Sequence, residues 1–172
     1  MAEIRQLSAD EAYGYIADLA TVLLDCVEGG ASVSFMAPLS RPEAEAFFEK
    51  VVEGIRSGDR ILLAAFADNK LVGTVQIVTA MPPNQPHRAD VAKLLVLRSA
   101  RAQGIGSRLM HSVETASRRV GKSLLVLDTV TGGSAEKLYL QLGWTKTGVI
   151  PKYALFPNGE WSDTTIFWKH LS

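Results

Sequence analysis

A short stretch containing two glycines, Arg101–Leu109, separates two hydrophobic patterns of different period. Before it, Ala89–Leu97 ends in a run of apolar residues and predicts a β-strand. After it, apolar residues recur at the spacing of an amphipathic helix, at Leu109, Val113, Ala116 and Val120. The two patterns together predict a strand, a loop and a helix that begins within this stretch.

The glycines favour an anion site at the start of the predicted helix. The first backbone N–H groups of a helix have no internal partner, and the helix dipole places partial positive charge beside them. Gly104 and Gly106 lack a Cβ that would keep an anion from these amides, and Arg101 and Arg108 add positive charge. The residues alone leave two interpretations open, a phosphate-binding loop and an ordinary turn before a helix.

Two other phosphate-binding motifs fit this stretch less well. A dinucleotide-binding fingerprint has its glycines directly after a strand and a third glycine for helix packing, whereas Leu109 stands at that third position. A Walker A loop ends in Lys followed by Ser or Thr, and no such pair follows Gly106. Neither of these two motifs is therefore met, and an ordinary turn before a helix stays open.

The pattern Arg-x-x-Gly-x-Gly, placed between a strand and a helix, resembles motif A of the GNAT superfamily of acyl-CoA-dependent N-acetyltransferases. A second match lies downstream, where the superfamily signature Ala-x-x-x-Tyr-x-x-x-Gly-aromatic is met by Ala135, Tyr139, Gly143 and Trp144. The resemblance extends over nearly the whole chain. It implies an acetyl-CoA-dependent enzyme with no covalent enzyme intermediate.

The segments Gly29–Ala37 and Leu127–Thr129 resemble one branch of this superfamily, the tabtoxin-resistance acetyltransferases. The superfamily resemblance implies an α/β fold, a single domain over residues 1–172 with a mixed central sheet of about seven strands flanked by about four helices. It also implies a sheet splayed open between Ala89–Leu97 and Ser123–Thr129, with the pantetheine of acetyl-CoA against the first of these strands. The mixture of strand and helix patterns, without a repeat or a linker, also favours one mixed-sheet domain.

The same resemblance places the coenzyme contacts at the strand end and the glycine stretch. The expected residues are Leu95, Val96, Leu97, Arg101, Ala102, Gln103, Gly104, Ile105, Gly106 and Ser107. One departure concerns Gly132, where many relatives have an Asn whose side chain contacts pantetheine. We expect this contact to be lost or to be supplied by Thr131 or Ser134.

Local signals predict several of the remaining elements. Ser8–Glu11 and Ser40–Glu43 have capping-box spacing, and each predicts the start of one helix. Asp68-Asn69 predicts a tight hairpin between two strands, and Ser134 is expected to cap the helix that follows it. Three tryptophans in predicted sheet segments are expected in the core: Trp144, Trp161 and Trp168.

Acetyl transfer to an amine needs a neutral acceptor and a proton donor for the departing thiolate. Tyr139 is the candidate acid, because the superfamily tyrosine that it matches faces the coenzyme sulfur and a phenol has a pKa near ~10. Asp128 is the candidate that accepts the proton of the amine or holds the ammonium group. The alternatives are a core tyrosine on one helical face with Ala135 and Leu142, and a strand-end cap by Asp128.

The loop Gly29–Ala37 and the strand end at Asp128 are expected to shape the acceptor pocket. Ser32 offers a hydroxyl, Phe35 an apolar wall and Asp90 a second candidate carboxylate. Such a pocket suits a small amino-acid-like amine, and the branch resemblance points to a tabtoxin-type β-lactam and to toxin or antibiotic resistance. Two alternatives are a protein N-terminal or lysine acetyltransferase, and an acyl-CoA sensor without turnover.

Composition narrows the classes of partner. Eighteen basic and eighteen acidic residues cancel, so the chain has no electrostatic footprint for nucleic acid or an anionic membrane. The N-terminus has no signal-peptide pattern and every apolar run is too short to span a bilayer, which together predict a cytoplasmic protein. A monomer and a homodimer are both compatible with the sequence.

Histidine and cysteine positions argue against a metal site. His87, His111 and His170 are spread along the chain and do not cluster with Cys26 or with a carboxylate at ligand spacing. Cys26 is the only cysteine and falls on the apolar face of a predicted helix. We therefore predict no metal and a buried, inert thiol.

Overall fold

Strands and helices alternate along the whole chain, which a computed structural model describes over residues 1–172. The strands are β1 (Glu3–Leu7), β2 (Arg60–Ala67), β3 (Lys70–Val78), β4 (Arg88–Val96), β5 (Leu124–Val130), β6 (Thr145–Leu155) and β7 (Trp161–His170). The helices are α1 (Ala9–Gly14), α2 (Ile16–Glu28), α3 (Arg41–Arg56), α4 (Ile105–Arg119) and α5 (Ser134–Gln141), with a 3₁₀ turn at Arg98–Ala100. The mixed α/β order is confirmed, with five helices in place of about four.

The additional helix arises from a break in the first predicted one. Both capping boxes are present, but the helix that begins after Ser8 ends at Gly14 and a new helix begins after Tyr15. Glycine is a poor helix former, and the ring of Tyr15 packs edge-on against Phe66 with the ring centroids 5.2 Å apart. This packing turns the chain, so the expectation of a single helix was wrong.

All seven strands belong to one open sheet in the order β1-β2-β3-β4-β5-β7-β6. The β4–β5 pair is parallel, and every other neighbouring pair is antiparallel. The predicted tight hairpin joins β2 to β3, where Asp68 and Asn69 have φ values of 49° and 61°. Positive φ at two successive residues is the geometry of a type I′ turn, which twists with the strands it joins.

Two hydrophobic clusters cover opposite faces of the sheet. One packs α4 and α5 against side chains such as Leu63, Val75 and Leu127, and the other packs α1, α2 and α3 against Leu62 and Leu95. Because successive side chains of a strand point to opposite faces, Leu62 and Leu63 serve different clusters. The molecule is therefore a sheet between two helical layers, called here the α4 side and the α3 side.

The three tryptophans do not share one environment. Trp144 is buried, Trp168 is half-buried and Trp161 is 62% exposed. Trp161 lies opposite Leu155 at the turn end of the β6–β7 hairpin, and β6 is the last strand of the sheet. The expectation of a core position was therefore wrong for Trp161.

No helix in the structure combines the length and apolar composition needed to cross a membrane.

Candidate active site

The sheet opens between β4 and β5, as predicted. These strands pair only from Arg88 opposite Leu124 to Asp90 opposite Val126, although β4 continues to Val96 and β5 continues beyond its last paired residue. A backbone edge without a partner strand needs other hydrogen-bond partners. The edge of β4 that faces β5 therefore lacks a partner strand over residues 91–96 and is open to a bound molecule, except at the carbonyl of Val96, which accepts from Nε of Arg101.

The start of α4 lies next to this opening and presents free backbone donors. The first internal helix bond runs from the N–H of Arg108 to the carbonyl of Gly104 over 3.1 Å, and the N–H groups of residues 104–107 have no partner within the chain. Gly104 is the N-cap residue, with φ of 74° and no side-chain cap. Ala102 also has a positive φ of 60°, so the loop forms a concave row of amides of the kind that binds anions.

The two glycines of the stretch have different structural roles. A Cβ on Gly104 would have no protein atom within 4 Å, so the left-handed backbone, and not crowding, requires glycine there. A Cβ on Gly106 would lie 3.2 Å from Cδ2 of Leu138, so this glycine lets α5 approach α4 closely. Both glycines were expected to leave the helix amides open to an anion. The packing of Gly106 against α5 is visible only in the structure.

The other predicted coenzyme residues divide into exposed and buried ones. Arg101, Ala102 and Gln103 are exposed and Ser107 is half-buried, whereas the side chains of Leu95 and Ile105 belong to the core. Leu95 and Ile105 can therefore contact a coenzyme only through their backbone atoms. Leu97 donates its N–H to the carbonyl of Val72 over 2.9 Å, which fixes the chain where β4 ends.

Arginine side chains brace the loop between β4 and α4. Arg101 donates from Nε to the carbonyl of Val96 over 3.2 Å and approaches Sγ of the buried Cys26 with Nη2 at 3.7 Å. Burial is the main cause that raises the pKa of the Cys26 thiol, which agrees with the expected inert thiol. Nη1 of Arg108, in the first turn of α4, is enclosed and has no hydrogen-bond partner within the chain.

A carboxylate that the sequence analysis missed, Asp25, ties α2 to the same loop. It accepts hydrogen bonds from the backbone N–H of Arg98 over 2.7 Å and from Nε of Arg98 over 2.8 Å. Burial by itself would raise the pKa of Asp25, but the two bonds and the charge of Arg98 hold that pKa below its usual value. No short-range signal marks this pair, because its members lie far apart in the sequence.

Tyr139 lies on α5 with its ring in the core and its hydroxyl unpaired. The residue is 5% exposed, and its ring centroid is 5.9 Å from those of Trp144 and Phe167. The hydroxyl makes no hydrogen bond within the chain, yet it is not among the fully enclosed polar atoms without a partner. Burial, and then the negative charge of Asp128, raises the pKa of Tyr139, so its phenol stays protonated and can donate.

The start of α5 is held by Glu136 and not by Ser134. The N-cap residue is Gly133, which has no side-chain cap, so the predicted cap by Ser134 was wrong. Glu136 instead accepts from the N–H of Gly132 and from Oγ1 of Thr165, the latter over 3.2 Å. These bonds, led by the one from Gly132, lower the pKa of Glu136. A Glu at the third helix position was the signal available in the sequence.

The residues around Gly132 differ in the availability of their hydroxyls. Gly132 has φ of 78°, a left-handed conformation that suits glycine. The hydroxyl of Thr131 is 2.9 Å from Oγ1 of Thr165 and is thus engaged within the protein. Ser134 is exposed, so of the two expected substitutes for the missing Asn it has the freer hydroxyl.

Asp128 lies on β5 beyond the last β4–β5 pair and is exposed. It accepts a hydrogen bond from Oγ1 of Thr164 on β7 over 2.9 Å and does not cap the turn that follows it. Asp90 is ion-paired with Arg88. Asp90 is opposite Val126 in the β4–β5 register, and Asp128 is two residues further along β5. Burial raises the pKa of Asp90, opposed by Arg88 and reinforced by the charge of Asp128.

The loop between α2 and α3 crosses to the β6–β7 hairpin. Ser32 donates from its hydroxyl to the carbonyl of Leu155 over 2.8 Å, and the N–H of Ala37 donates to the carbonyl of Pro157 over 3.1 Å. The ring of Phe35 packs edge-on against Phe47 with the centroids 5.2 Å apart. Ser32 and Phe35 therefore fasten the loop, and a direct contact of either side chain with the acceptor stays a prediction.

Lys93 is a candidate that the sequence analysis missed. It has φ of 55° at a bulge in β4, where the register against β3 shifts by one residue. Its Nζ donates to the hydroxyl of Ser34 over 3.0 Å and lies 5.9 Å from the ring centroid of Phe47. A lysine between the apolar residues Ala92 and Leu94 in the middle of a strand was the available signal. No group of three or more His, Cys, Asp or Glu side chains is arranged to hold a metal.

Known proteins place this geometry in one family. The family model described as "Acetyltransferase (GNAT) family" matches residues 29–144, which include the opening of the sheet and the start of α4. An uncharacterized N-acetyltransferase from the hisH-hisA intergenic region of Azospirillum brasilense is 30% identical over 117 residues. That match covers 67% of this chain and 68% of the relative.

Solved structures with low sequence identity share the fold. An N-acetyltransferase from Staphylococcus aureus Mu50 superposes with a TM-score of 0.81 at 18% identity, covering 100% of this chain and 99% of that one. The yncA protein of Salmonella typhimurium, whose structure holds its cofactor acetyl-CoA, superposes with a TM-score of 0.81 at 17% identity, covering 100% and 95%. A ribosomal-protein-alanine N-acetyltransferase from Brucella melitensis gives a TM-score of 0.80 at 20% identity, covering 98% and 99%. The chain belongs to the acetyltransferase (GNAT) family and is an acetyl-CoA-dependent N-acetyltransferase.

Proposed function

We propose that the chain transfers an acetyl group from acetyl-CoA directly to the amine of a small, amino-acid-like molecule. The observation that carries this proposal is the position of Asp128. It lies on β5 beyond the last β4–β5 pair, at the opening of the sheet, and Asp90 and Lys93 lie on the neighbouring strand β4. Its negative charge also contributes to the raised pKa of Tyr139. Asp128 thus stands with two other charged side chains beside the opening of the sheet, where the ammonium group of an amine can be held.

The free backbone groups fit an extended ligand with a phosphate-rich end. The unpaired N–H groups of residues 104–107 and the helix dipole suit the pyrophosphate of the coenzyme. The unpaired edge of β4 beyond Asp90 suits the amide groups of pantetheine. Acetyl-CoA, when bound, supplies an activated thioester at the opening of the sheet.

The side chains divide the proton transfers between them. Asp128 holds the acceptor ammonium group and receives a proton from it, which leaves the amine nitrogen free to form the new N–C bond. Tyr139 donates its proton to the thiolate sulfur as the C–S bond breaks. The nitrogen loses two protons between ammonium and amide: Asp128 receives the first before attack, and the second passes to water from the tetrahedral intermediate. One proton reaches the sulfur, so each turnover releases one proton to solvent, and exchange with water returns both residues to their starting states.

The fastened loop supports a small acceptor. Ser32 and Ala37 bind it to the carbonyls of Leu155 and Pro157, and Ser34 accepts a hydrogen bond from Lys93, so the loop runs on the α3 side beside β4 from α2 to the β6–β7 hairpin. A protein tail needs an open groove at this place. The resemblance of Gly29–Ala37 and Leu127–Thr129 to the tabtoxin-resistance acetyltransferases favours a tabtoxin-type β-lactam amino acid and a role in detoxification.

Steady-state kinetics with a panel of acceptors tests this proposal. The panel contains amino acids, a tabtoxin-type β-lactam, polyamines, aminoglycosides and N-terminal peptides, the last because the Brucella neighbour is named for a protein substrate. We expect the highest kcat/KM among the amino-acid-like amines. Efficient acetylation of peptides or polyamines, with amino-acid-like amines inert, would reject the proposal.

The Asp128→Asn variant tests the role of the carboxylate. We expect kcat/KM for the best acceptor to fall by about 10²-fold or more, because general acid–base groups contribute ~10²–10⁴-fold. The exposed Asp18 on α2 supplies a matched control, Asp18→Asn, which should keep wild-type kinetics. Unaltered kinetics in Asp128→Asn would remove this residue from the site.

A further inference from the structure

Two half-buried cations on the α3 side have no carboxylate partner. No carboxylate oxygen lies within 4.0 Å of the side-chain nitrogens of Lys93 or Arg60. Lys93 donates one hydrogen bond, to Ser34, and Arg60 donates one over 2.6 Å to Oε1 of Gln76. An ammonium group has three N–H donors and a guanidinium has five, so most of these donors are unused within the chain.

A buried amide next to these cations is also short of an acceptor. Gln76 is fully buried, its Oε1 is occupied by Arg60, and its Nε2 has no hydrogen-bond partner. Gln76 lies opposite Ala92 in the β3–β4 register, immediately before the bulge at Lys93. Buried amide donors in proteins are nearly always paired, so an unpaired one beside unpaired cations indicates a missing acceptor.

The donor cluster lies beside the two carboxylates of the candidate active site. In the register of the sheet, Arg60 is opposite Val78 and Val78 is opposite Asp90. Burial lowers the pKa of Lys93, while the charge of Asp128 raises it and that of Arg60 lowers it further. Lys93 is therefore influenced by both charges, and neither Lys93 nor Arg60 forms an ion pair with Asp90 or Asp128.

We propose that Lys93 and the amide of Gln76 bind the carboxylate of the acceptor, with Arg60 positioning that amide through Oε1. This inference rests on the proposed function and specifies it, because the acceptor becomes a zwitterion. Asp128 takes the ammonium end and Lys93 takes the carboxylate end. Lys93 is then a residue that determines specificity and does not take part in acetyl transfer itself.

Kinetics with matched acceptor pairs tests this inference. The probes are L-amino acids and their primary amides, and thiol release from acetyl-CoA is the readout. The α-amine of an amide is more readily neutral, so intrinsic reactivity favours the amide and a preference for the acid must come from the protein. We expect wild-type kcat/KM to be about 10-fold or more higher for the acid, as hydrogen bonds to charged groups commonly give.

The Lys93→Met variant keeps the length of the side chain and removes its charge. We expect kcat/KM for the acid to fall by about 10- to 100-fold and that for the amide to change less than about twofold. Lys93→Arg should recover part of the preference for the acid. Lys50→Met, at an exposed position on α3, is the matched control, and acetyl-CoA affinity of each variant reports on folding.

The outcomes separate this inference from the function on which it rests. Equal rates for acids and amides in the wild type, or an equal loss for both in Lys93→Met, overturn the carboxylate site and leave small-amine acetylation standing. Inert amino acids and amides, with peptides or polyamines acetylated efficiently, overturn both proposals. A selective loss of acid acetylation in Lys93→Met supports the inference.

Discussion

The proposed coenzyme side and the proposed acceptor side of this molecule are built from different atoms. On the coenzyme side the candidate contacts are backbone groups, the free amides of residues 104–107 and the open edge of β4. On the acceptor side they are charged side chains, Asp90, Lys93 and Asp128, from two strands, and Lys93 also contacts the loop between α2 and α3 through Ser34. A backbone site depends on local conformation, whereas a side-chain site depends on which residues the fold brings together.

The largest effect on turnover is expected for a substitution of Tyr139, the residue that links the proposed coenzyme side to the proposed acceptor side. Tyr139→Phe removes only the hydroxyl and leaves the ring in its packing against Trp144 and Phe167. We expect kcat to fall by about 10²- to 10⁴-fold, the usual contribution of a general acid. Steady-state kinetics at saturating acetyl-CoA measures this change.

Acetyl-CoA affinity and a remote tyrosine control that experiment. The affinity of Tyr139→Phe for acetyl-CoA should remain close to that of the wild type, because the proposed coenzyme contacts are backbone groups. Tyr13→Phe changes a tyrosine that is 65% exposed on α1 and should be kinetically silent. Turnover at the wild-type rate in Tyr139→Phe would make this tyrosine a packing residue and break the link between the two sides.

The contrast between local backbone conformation and long-range side-chain contacts also explains which features could be predicted from the sequence. The capping boxes, the hairpin at Asp68-Asn69 and the glycine stretch are short-range patterns, and the elements they predicted are present. The break at Gly14 was missed because tertiary packing of Tyr15 decides it. The fastening of Ser32 to Leu155 joins segments 123 residues apart, a distance at which a sequence pattern carries no signal.

A test of backbone conformation on the coenzyme side compares the two glycines that flank helix α4. Gly104 at the start of α4 and Gly121 just after its end have φ of 74° and 75°, and a Cβ on either meets no protein atom within 4 Å. Alanine at each should cost about 1 kcal/mol of stability, because a side chain disfavours positive φ. Only Gly104→Ala should also weaken acetyl-CoA binding, by about 10-fold, since it displaces the free amides.

Thermal unfolding and calorimetry together decide this test. Equal losses of stability in Gly104→Ala and Gly121→Ala show that the two substitutions are matched. A similar loss of acetyl-CoA affinity in both variants would mean that general destabilisation, and not the amide row, sets the affinity.

The smallest expected effect concerns the loop on the acceptor side. Ser32→Ala removes the hydrogen bond to Leu155, which is worth about 0.5–1.5 kcal/mol. We expect KM for the acceptor to rise by about two- to fivefold, with acetyl-CoA affinity unchanged, because the loop covers only the acceptor side. Ser123→Ala, at an exposed serine whose hydroxyl makes no hydrogen bond, is the control, and an equal rise there would contradict the role of the loop.

The most direct measurement of the division between the two sides is calorimetric titration of acetyl-CoA into Gly104→Ala and Asp128→Asn in parallel. The account predicts a Kd about 10-fold weaker in Gly104→Ala and within about twofold of wild type in Asp128→Asn. It is contradicted if Asp128→Asn loses acetyl-CoA affinity while Gly104→Ala, folded and as stable as Gly121→Ala, binds acetyl-CoA like the wild type.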